Sequence, residues 1–392
     1  MLSAGLYREF AMFALIQRCR CLLPAVLAVF GLFFGFTAAA VMPTTVASGL
    51  RHPWAVAFLP DGGFLISEWG GALRVVQADG RIGPPLQGVP PVVASGQGGL
   101  LDVILDADFA RNRRLFFCFA QAAAGGNSTA LASARLADDG RRLADVRVIF
   151  TQQPVVDSRL HFGCRIVESQ DANGRADGRL FLTLGERYHR RQDAQTLDNH
   201  HGKVIRIAKD GSVPADNPFV GRAGVLPEIW SYGHRNPQGA TLSPQGVLWI
   251  HEHGPMGGDE INLPEAGANY GWPLVSFGRN YDFTAVGDGR SERAGTVPPL
   301  HHWTPSIAPS GMAFITSTRY GADWVGNLLV GSLKLTHLAR LELTQPYAGK
   351  VRRETRLLSD LGERIRDVRQ GPDGLIYLLT DSADGRLIRL DP

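Results

Sequence analysis

Beyond residue 40 the hydrophobic positions almost never recur at the 3.6-residue spacing of an amphipathic helix. They come instead as short apolar runs joined by glycine-bearing turns, a strand pattern. Residues 54–58 pass through Pro60-Asp61-Gly62-Gly63 to 64–67, and 101–105 lead to 115–119. Runs 162–167 and 180–184 flank Asp177-Gly178, and 240–242 and 247–250 flank Ser243-Pro244-Gln245-Gly246. Runs 311–315 and 327–330, then 365–368 and 375–379, complete six such pairs. Further apolar runs extend the units, at 72–76, 203–207, 337–343 and 387–390. Units of this kind repeat at roughly 45–75 residues, and none can bury both faces alone. The pattern predicts an all-β, six-bladed β-propeller with four-stranded antiparallel blades around a central channel. The run at 41–47 is expected to complete the last blade beside 387–390. No change of composition marks a second domain within 41–392.

The propeller topology sorts the polar residues. Loops that enter first strands and loops that leave second strands share one face of the ring. Gln97, His161, Arg235, Asn236, Trp303, Ser306, Arg364 and Arg366 lie in entering loops. Glu68, Trp69, Glu186, Arg187, residues 252–255, Lys334 and Asp381 lie in leaving ones. The opposite-face turns are plain Pro-Asp-Gly types. The densest stretch is 233–262, where two polar segments meet at one end of the 240–250 hairpin. The expected site is therefore a channel mouth fed by every blade.

Composition adds little to this. Forty-six Gly and 24 Pro in 392 residues agree with many turns, and a net charge of +3 calls for no nucleic-acid partner. Arg18 and Arg20 precede a 16-residue apolar run, 21–36, and Ala38-Ala39-Ala40 ends it. That is an export signal with cleavage near Ala40, too short for a spanning helix. It predicts a periplasmic or secreted protein with no stable membrane anchor after processing. Cys118 and Cys164 would be the exported cysteines. They fall in different predicted strands and are expected as buried free thiols, although the compartment permits a disulfide.

The mouth residues suggest chemistry. Lys334, Arg364 and Arg366 suit a small polyanion with carboxylates or phosphates. Alternatively, Arg364 and Arg366 are surface ion-pair partners of Glu363 and Asp367. The Gly254 and Pro255 carbonyls with Asp259, Glu260 and Asn262 are an inventory of hard oxygens suited to Ca²⁺. His161 is the candidate general base. His200-His201 and His301-His302 lack the spacing of a complete transition-metal site, and Asp171-Ala172-Asn173-Gly174 reads as a turn.

These residues sit in motifs that resemble the soluble PQQ-dependent aldose sugar dehydrogenases (glucose/sorbosone dehydrogenase-like) of the bacterial periplasm. The resemblance spans about 42–391. Its motifs include Gly96-Gln97-Gly98-Gly99-Leu100-Leu101-Asp102, His161-Phe162-Gly163, Tyr232-Gly233-His234-Arg235-Asn236-Pro237-Gln238-Gly239, Glu252-His253-Gly254-Pro255, Asp259-Glu260-Ile261-Asn262, Asn269-Tyr270-Gly271-Trp272-Pro273 and Arg364-Ile365-Arg366-Asp367. It implies pyrroloquinoline quinone (PQQ) and Ca²⁺ as cofactors, an aldose as substrate and an external electron acceptor as partner. Lys334, Arg364 and Arg366 would hold PQQ, with Gln97, Arg235, Asn236, Asp259 and Ser306 as further contacts. Gly254 and Pro255 would hold the catalytic Ca²⁺, and Glu260 with the Tyr270 backbone a structural one. His161 would take the anomeric hydroxyl proton and Arg235 stabilise charge on the quinone oxygen, yielding a lactone. One departure is Leu160, where the glucose dehydrogenase branch has an Asp that orients the base. The group that orients His161 is left open. The competing readings are a calcium-dependent propeller lactonase or hydrolase, and a non-catalytic sugar-binding propeller. The resemblance admits a monomer or a homodimer.

Overall fold

The computed structural model describes residues 41–392, so the predicted leader and its cleavage point lie outside the described residues. Six antiparallel sheets of four strands follow one another along the chain. Their inner strands are Pro53–Phe58, Leu100–Leu105, Gly163–Gln170, Pro237–Leu242, Pro309–Phe314 and Ile365–Gln370. Each inner strand touches the next, and the last touches the first, so the ring is closed. The last blade takes its outer strand, Met42–Leu50, from the other end of the described chain, paired with Gly385–Asp391. Among the described residues the one α-helix is the four-residue Phe109–Asn112.

Burial explains the apolar runs. The second strands Phe64–Glu68, Leu248–Glu252 and Ile376–Thr380 are buried at every position, because adjacent blades cover both their faces. The fourth strand Ala348–Leu357 is outermost and largely uncovered. The turns far from the mouth also follow from sequence. Asp61 Oδ1 accepts from Gly63 N at 3.0 Å, and Gly62 takes a φ of 84° that side chains disfavour. Asp373 and Gly374 repeat the arrangement in the last blade. Asp171 likewise accepts from Asn173 N and Arg175 N, so that segment is a turn, as expected.

The axis is filled by charge. Arg165, 1 % exposed, lies 2.8 Å from Asp367 and 3.3 Å from Asp102, over the Trp54 ring. Arg369 bridges the same two carboxylates at 3.0 and 2.7 Å. Asp367 is thus committed to the axis and Glu363 to Arg386, so neither is the ion-pair partner weighed for Arg364 and Arg366. Paired this way, one buried and one partly buried guanidinium neutralise two buried carboxylates.

The cysteines correct the sequence expectation. Cys118 and Cys164 form a disulfide between the second blade's Arg114–Ala123 strand and the third blade's inner strand. Lying in different strands does not separate them, because neighbouring blades pack face to face and bring those strands into contact. The bridge closes a 46-residue separation, for which loop-closure entropy predicts about 4 kcal/mol of stabilisation. The Cys118→Ala, Cys164→Ala double variant is expected to lose about 2–4 kcal/mol in chemical denaturation under non-reducing conditions. An unchanged midpoint would contradict a formed bridge.

Candidate functional site

At the mouth, the end of each second strand meets the start of the next blade's first strand. Register puts Glu252 opposite Pro237, which folds the two polar segments of 233–262 together. Glu252 then ties them: Oε1 lies 2.9 Å from His234 Nδ1, and Oε2 accepts from Arg235 N at 2.5 Å. His234 is fully buried, with its other ring nitrogen 2.9 Å from Ser231 Oγ. It therefore serves structure.

His161 stands at the entry to the third blade, 4 % exposed, with a φ of 50°. Non-glycine residues seldom adopt this conformation, and it is held here by contacts on both sides. Its N–H donates to Gln97 Oε1 at 2.8 Å and its carbonyl accepts from Arg187 N at 3.3 Å. Its Nδ1 lies 3.1 Å from Glu186 Oε1. The two are in close polar contact without the alignment of a full hydrogen bond. Burial, helped by the Arg235 charge and opposed by Glu186, pulls the His161 imidazole down to about 4. Burial alone would raise the Glu186 carboxyl, but His161 and Arg235 together hold it below the usual range. The ring is thus neutral at physiological pH beside an ionised carboxylate. That favours the proton on Nδ1 and the lone pair on Nε2. Glu186 is thus the carboxylate that stands against His161, where Leu160 offers none.

Two cavities are lined by residues that contact His161, Gln97 in one and Glu186 in the other. One, of about 480 Å³, is lined by His52, Trp54, Gln97, His253, Arg364 and Arg366 among others. Arg364 and Arg366 share Asp381 Oδ2, at 3.1 and 2.7 Å, and His52 Nδ1 lies 3.1 Å from Oδ1. Burial would raise the Asp381 carboxyl, but Arg366 and then His52 and Arg364 hold it well below the usual range. Lys334 follows the lining residue Leu333, and its exposed side chain meets no carboxylate among the described residues. Two guanidiniums therefore share one carboxylate in this lining. The second cavity, of about 260 Å³, is bordered by Glu186, Arg235, Pro255 and Trp272.

The remaining predicted residues divide between these surroundings. Arg235 Nη1 donates to the carbonyls of His253 and Gly254 at 3.0 and 2.8 Å. Asn236 Oδ1 accepts from Gly163 N and Gln238 Nε2, both at 3.2 Å. Asp259 is fully buried and joins two loops. Its Oδ1 accepts from Gly254 N, and its Oδ2 from Ser306 Oγ, Ile307 N and Ala308 N. Asp259 and Ser306 thus brace the Gly254-Pro255 turn. Glu260 faces Glu252 across paired strands. Burial, then the Glu252 carboxylate, pushes its carboxyl up to about 8, as expected where carboxylates converge without a cation between them. Tyr270 stacks on His234, at 4.8 Å between ring centres. Both ring nitrogens of His200 and of His201 have partners in the fold, which disposes of a metal site there. His302 stacks on Phe277 and His301 packs edge-on to Trp303. Glu186, Asp381 and Trp272 are the residues whose roles sequence reasoning missed. The strand-end rule had placed the first two at the mouth without naming what they touch.

The sequence profile of the Glucose / Sorbosone dehydrogenase family matches residues 50–389. The chain is 45 % identical over 347 residues to aldose sugar dehydrogenase YliI of Escherichia coli K12, covering 88 % of this chain and 91 % of that protein. It is 28 % identical over 419 residues to quinoprotein glucose dehydrogenase B of Acinetobacter calcoaceticus, covering 86 % and 85 %. Among solved structures, the apo-form of the soluble E. coli aldose sugar dehydrogenase superposes with a TM-score of 0.84 at 44 % identity, over 90 % of this chain and all of that one. The PQQ-bound aldose sugar dehydrogenase of Streptomyces coelicolor superposes with a TM-score of 0.73 at 27 % identity, over 90 % and 98 %.

Proposed function

This chain belongs to the glucose/sorbosone dehydrogenase family, and from that premise we propose that it oxidises the anomeric C1 hydroxyl of aldoses to the lactone, with Ca²⁺-bound PQQ as hydride acceptor. The observation that carries the reading is a buried, neutral His161 tied through Gln97 to a cavity where Arg364 and Arg366 share one carboxylate. A quinone with three carboxylates fits that excess of positive charge. Lys334, Arg364 and Arg366 would hold it, and Gln97 lines the same cavity. By the same resemblance the Gly254 and Pro255 carbonyls would hold Ca²⁺, the former now accepting from Arg235 Nη1, and Glu260 with the Tyr270 backbone would hold a second ion.

Bound PQQ supplies the electron sink, and bound Ca²⁺ a Lewis acid beside it. The protein's own part is proton handling and positioning. His161 Nε2 takes the C1 hydroxyl proton as the hydride leaves C1. Glu186, against Nδ1, holds the ring's orientation and stabilises the imidazolium that forms. The Arg235 guanidinium lies next to the Gly254 carbonyl and can follow negative charge developing nearby. The electrons leave to an external acceptor, and residues 1–40 direct the protein out of the cytoplasm.

The test is reconstitution of the purified protein with Ca²⁺ and PQQ, followed by addition of aldoses and a redox dye. Dye reduction that needs both cofactors is expected. Lactone hydrolysis without PQQ, and no dye reduction, would instead indicate the hydrolase reading. The pH profile follows from His161. Because its pKa is lowered to about 4, kcat/KM should hold from neutral pH through the ordinary imidazole range and fall only toward about 4. The same depression means that folding stability falls as pH drops from 6.5 toward 4, because the unfolded imidazole takes up its proton first. An activity limb near 6.5 would show that a different, solvent-exposed group is the base.

A further inference from the structure

One fully buried cation beside the base has no part in the steps above. Arg187 is 0 % exposed and follows Glu186 in the turn after Ala176–Leu184. Burial pulls its guanidinium down to about 10, with Glu186 opposing, so it stays charged at neutral pH. A buried charge is costly unless its donors are well used. Here they are used on neutral oxygens. Nε donates to the Leu160 carbonyl at 3.2 Å and Nη2 to the Ser158 carbonyl at 2.8 Å. Nη1 donates to the Asn127 carbonyl at 3.3 Å, and Nη2 also to Asn127 Oδ1. The guanidinium lies over the Phe162 ring, 3.8 Å from its centre.

The placement of these partners is specific. Ser158, Leu160 and Phe162 surround His161 in sequence, and Asn127 belongs to the neighbouring blade, in the strand Gly126–Leu136. One planar fork therefore grips the entry loop just before the base, stacks on the ring just after it and fastens both to a sheet. Backbone groups tie the two turns as well. Arg187 N donates to the His161 carbonyl at 3.3 Å, and Ser158 Oγ to the Arg187 carbonyl at 2.8 Å. The approach is tight: a Cβ on Gly185 would lie 2.1 Å from the His161 carbonyl oxygen. Both turns are strained, since Arg187 and Tyr188 take φ of 64° and 67° opposite the 50° of His161. Such conformations persist only where surrounding contacts over-determine them. Glu186 meets the His161 ring, and Arg187 holds the backbone that aims it.

We propose that Arg187 is a positioning residue for the base, its guanidinium fixing the 158–162 segment so that the His161 ring stays against Glu186 and away from solvent. The inference rests on the dehydrogenase reading for its kinetic arm but not for its spectroscopic arm. Arg187→Lys keeps the charge and the stem but loses the planar fork. Asn127→Ala removes a single side-chain acceptor and serves if the lysine variant does not fold. In the Ca²⁺- and PQQ-reconstituted protein, kcat is expected to fall roughly tenfold to a hundredfold in Arg187→Lys, the scale of a small misplacement of a reacting group. The loss in Asn127→Ala should be smaller, and in both variants KM for glucose or xylose and PQQ affinity should stay the same. In the cofactor-free protein, a histidine NMR titration follows His161, assigned by its absence in His161→Ala. Its midpoint should move from about 4 in the wild type toward the ordinary imidazole range as the ring gains water. A lower melting temperature with kcat and the His161 titration unchanged would overturn the proposal and leave Arg187 a brace of the fold alone. Equal losses of PQQ affinity and kcat would also overturn it, because the residue would then serve the cofactor cavity. If the wild type never reduces the dye, the dehydrogenase reading fails, and the His161 titration in the variants still decides whether Arg187 places that ring.

Discussion

His161→Ala should lower kcat by about 10²–10⁴-fold, the usual contribution of a positioned general base. PQQ affinity should not change. The imidazole is buried, neutral and unable to add to the cationic cavity at physiological pH, so its removal takes away no attraction for a polyanion. Its N–H bond to Gln97 is a backbone bond and survives the substitution in principle. The φ of 50° also survives, at a strain cost alanine shares with histidine. Rapid-mixing kinetics with saturating PQQ and aldose would separate proton removal from binding. Full activity in the variant would mean that the proton goes elsewhere, with Glu186 the next group in line. Glu186→Gln gives a useful contrast, since it keeps the shape beside Nδ1 but removes the charge. A smaller loss than for His161→Ala is the mark of a positioning residue.

The second large effect concerns the cofactor. Replacing Arg364 and Arg366 together by alanine should weaken PQQ binding by about 10²–10⁴-fold, from roughly 1.5–3 kcal/mol for each charged hydrogen bond lost. The change is larger than the loss of two contacts. Asp381, now paired by both guanidiniums and by His52, would face the anionic ligand with far less compensation. The lining would pass from two guanidiniums against one carboxylate to that carboxylate without either. Binding measured over a range of salt should therefore also lose much of its ionic-strength dependence. Saturating PQQ should restore most of kcat, because neither arginine contacts His161. Unchanged affinity would return both residues to the status of surface charges. Thermal denaturation run alongside would show whether leaving Asp381 underpaired has instead loosened the last blade.

The blades were legible because their signals are local. Second strands covered on both faces need continuous apolar runs, and the distant turns need Asp-Gly, so both features appear within ten residues of each other. The mouth was legible one step further, because topology alone sends particular strand ends to one face. What the pattern could not supply was side-chain reach across that face. Glu186 and Asp381 were placed at the mouth, but their contacts with His161 and with the two arginines join residues 25, 17 and 15 apart through geometry, not spacing. Asp259 and Ser306 were read as cofactor contacts, and the fold uses them on each other and on the loop backbone. The cysteine pair was misread because strand membership says nothing about which blades are neighbours in contact. The hairpin carrying Asn280 to Asp282 lies in a segment without apolar periodicity, so its folding back against the mouth left no local trace.

The pairing of Met42–Leu50 with Gly385–Asp391 has a consequence for biosynthesis. Five blades draw all four strands from one continuous stretch and can form in the order in which they are made. The sixth cannot, since its outer strand is among the first segments of the described chain and its inner three are the last. Until the final strand is available, Met42–Leu50 is an unpaired strand edge and the ring is an open arc. A chain still being made would therefore stay incompletely folded until Gly385–Asp391 is available to pair. A truncation at Gly385 would not merely shorten the protein but leave both ends of the arc without the strand that joins them.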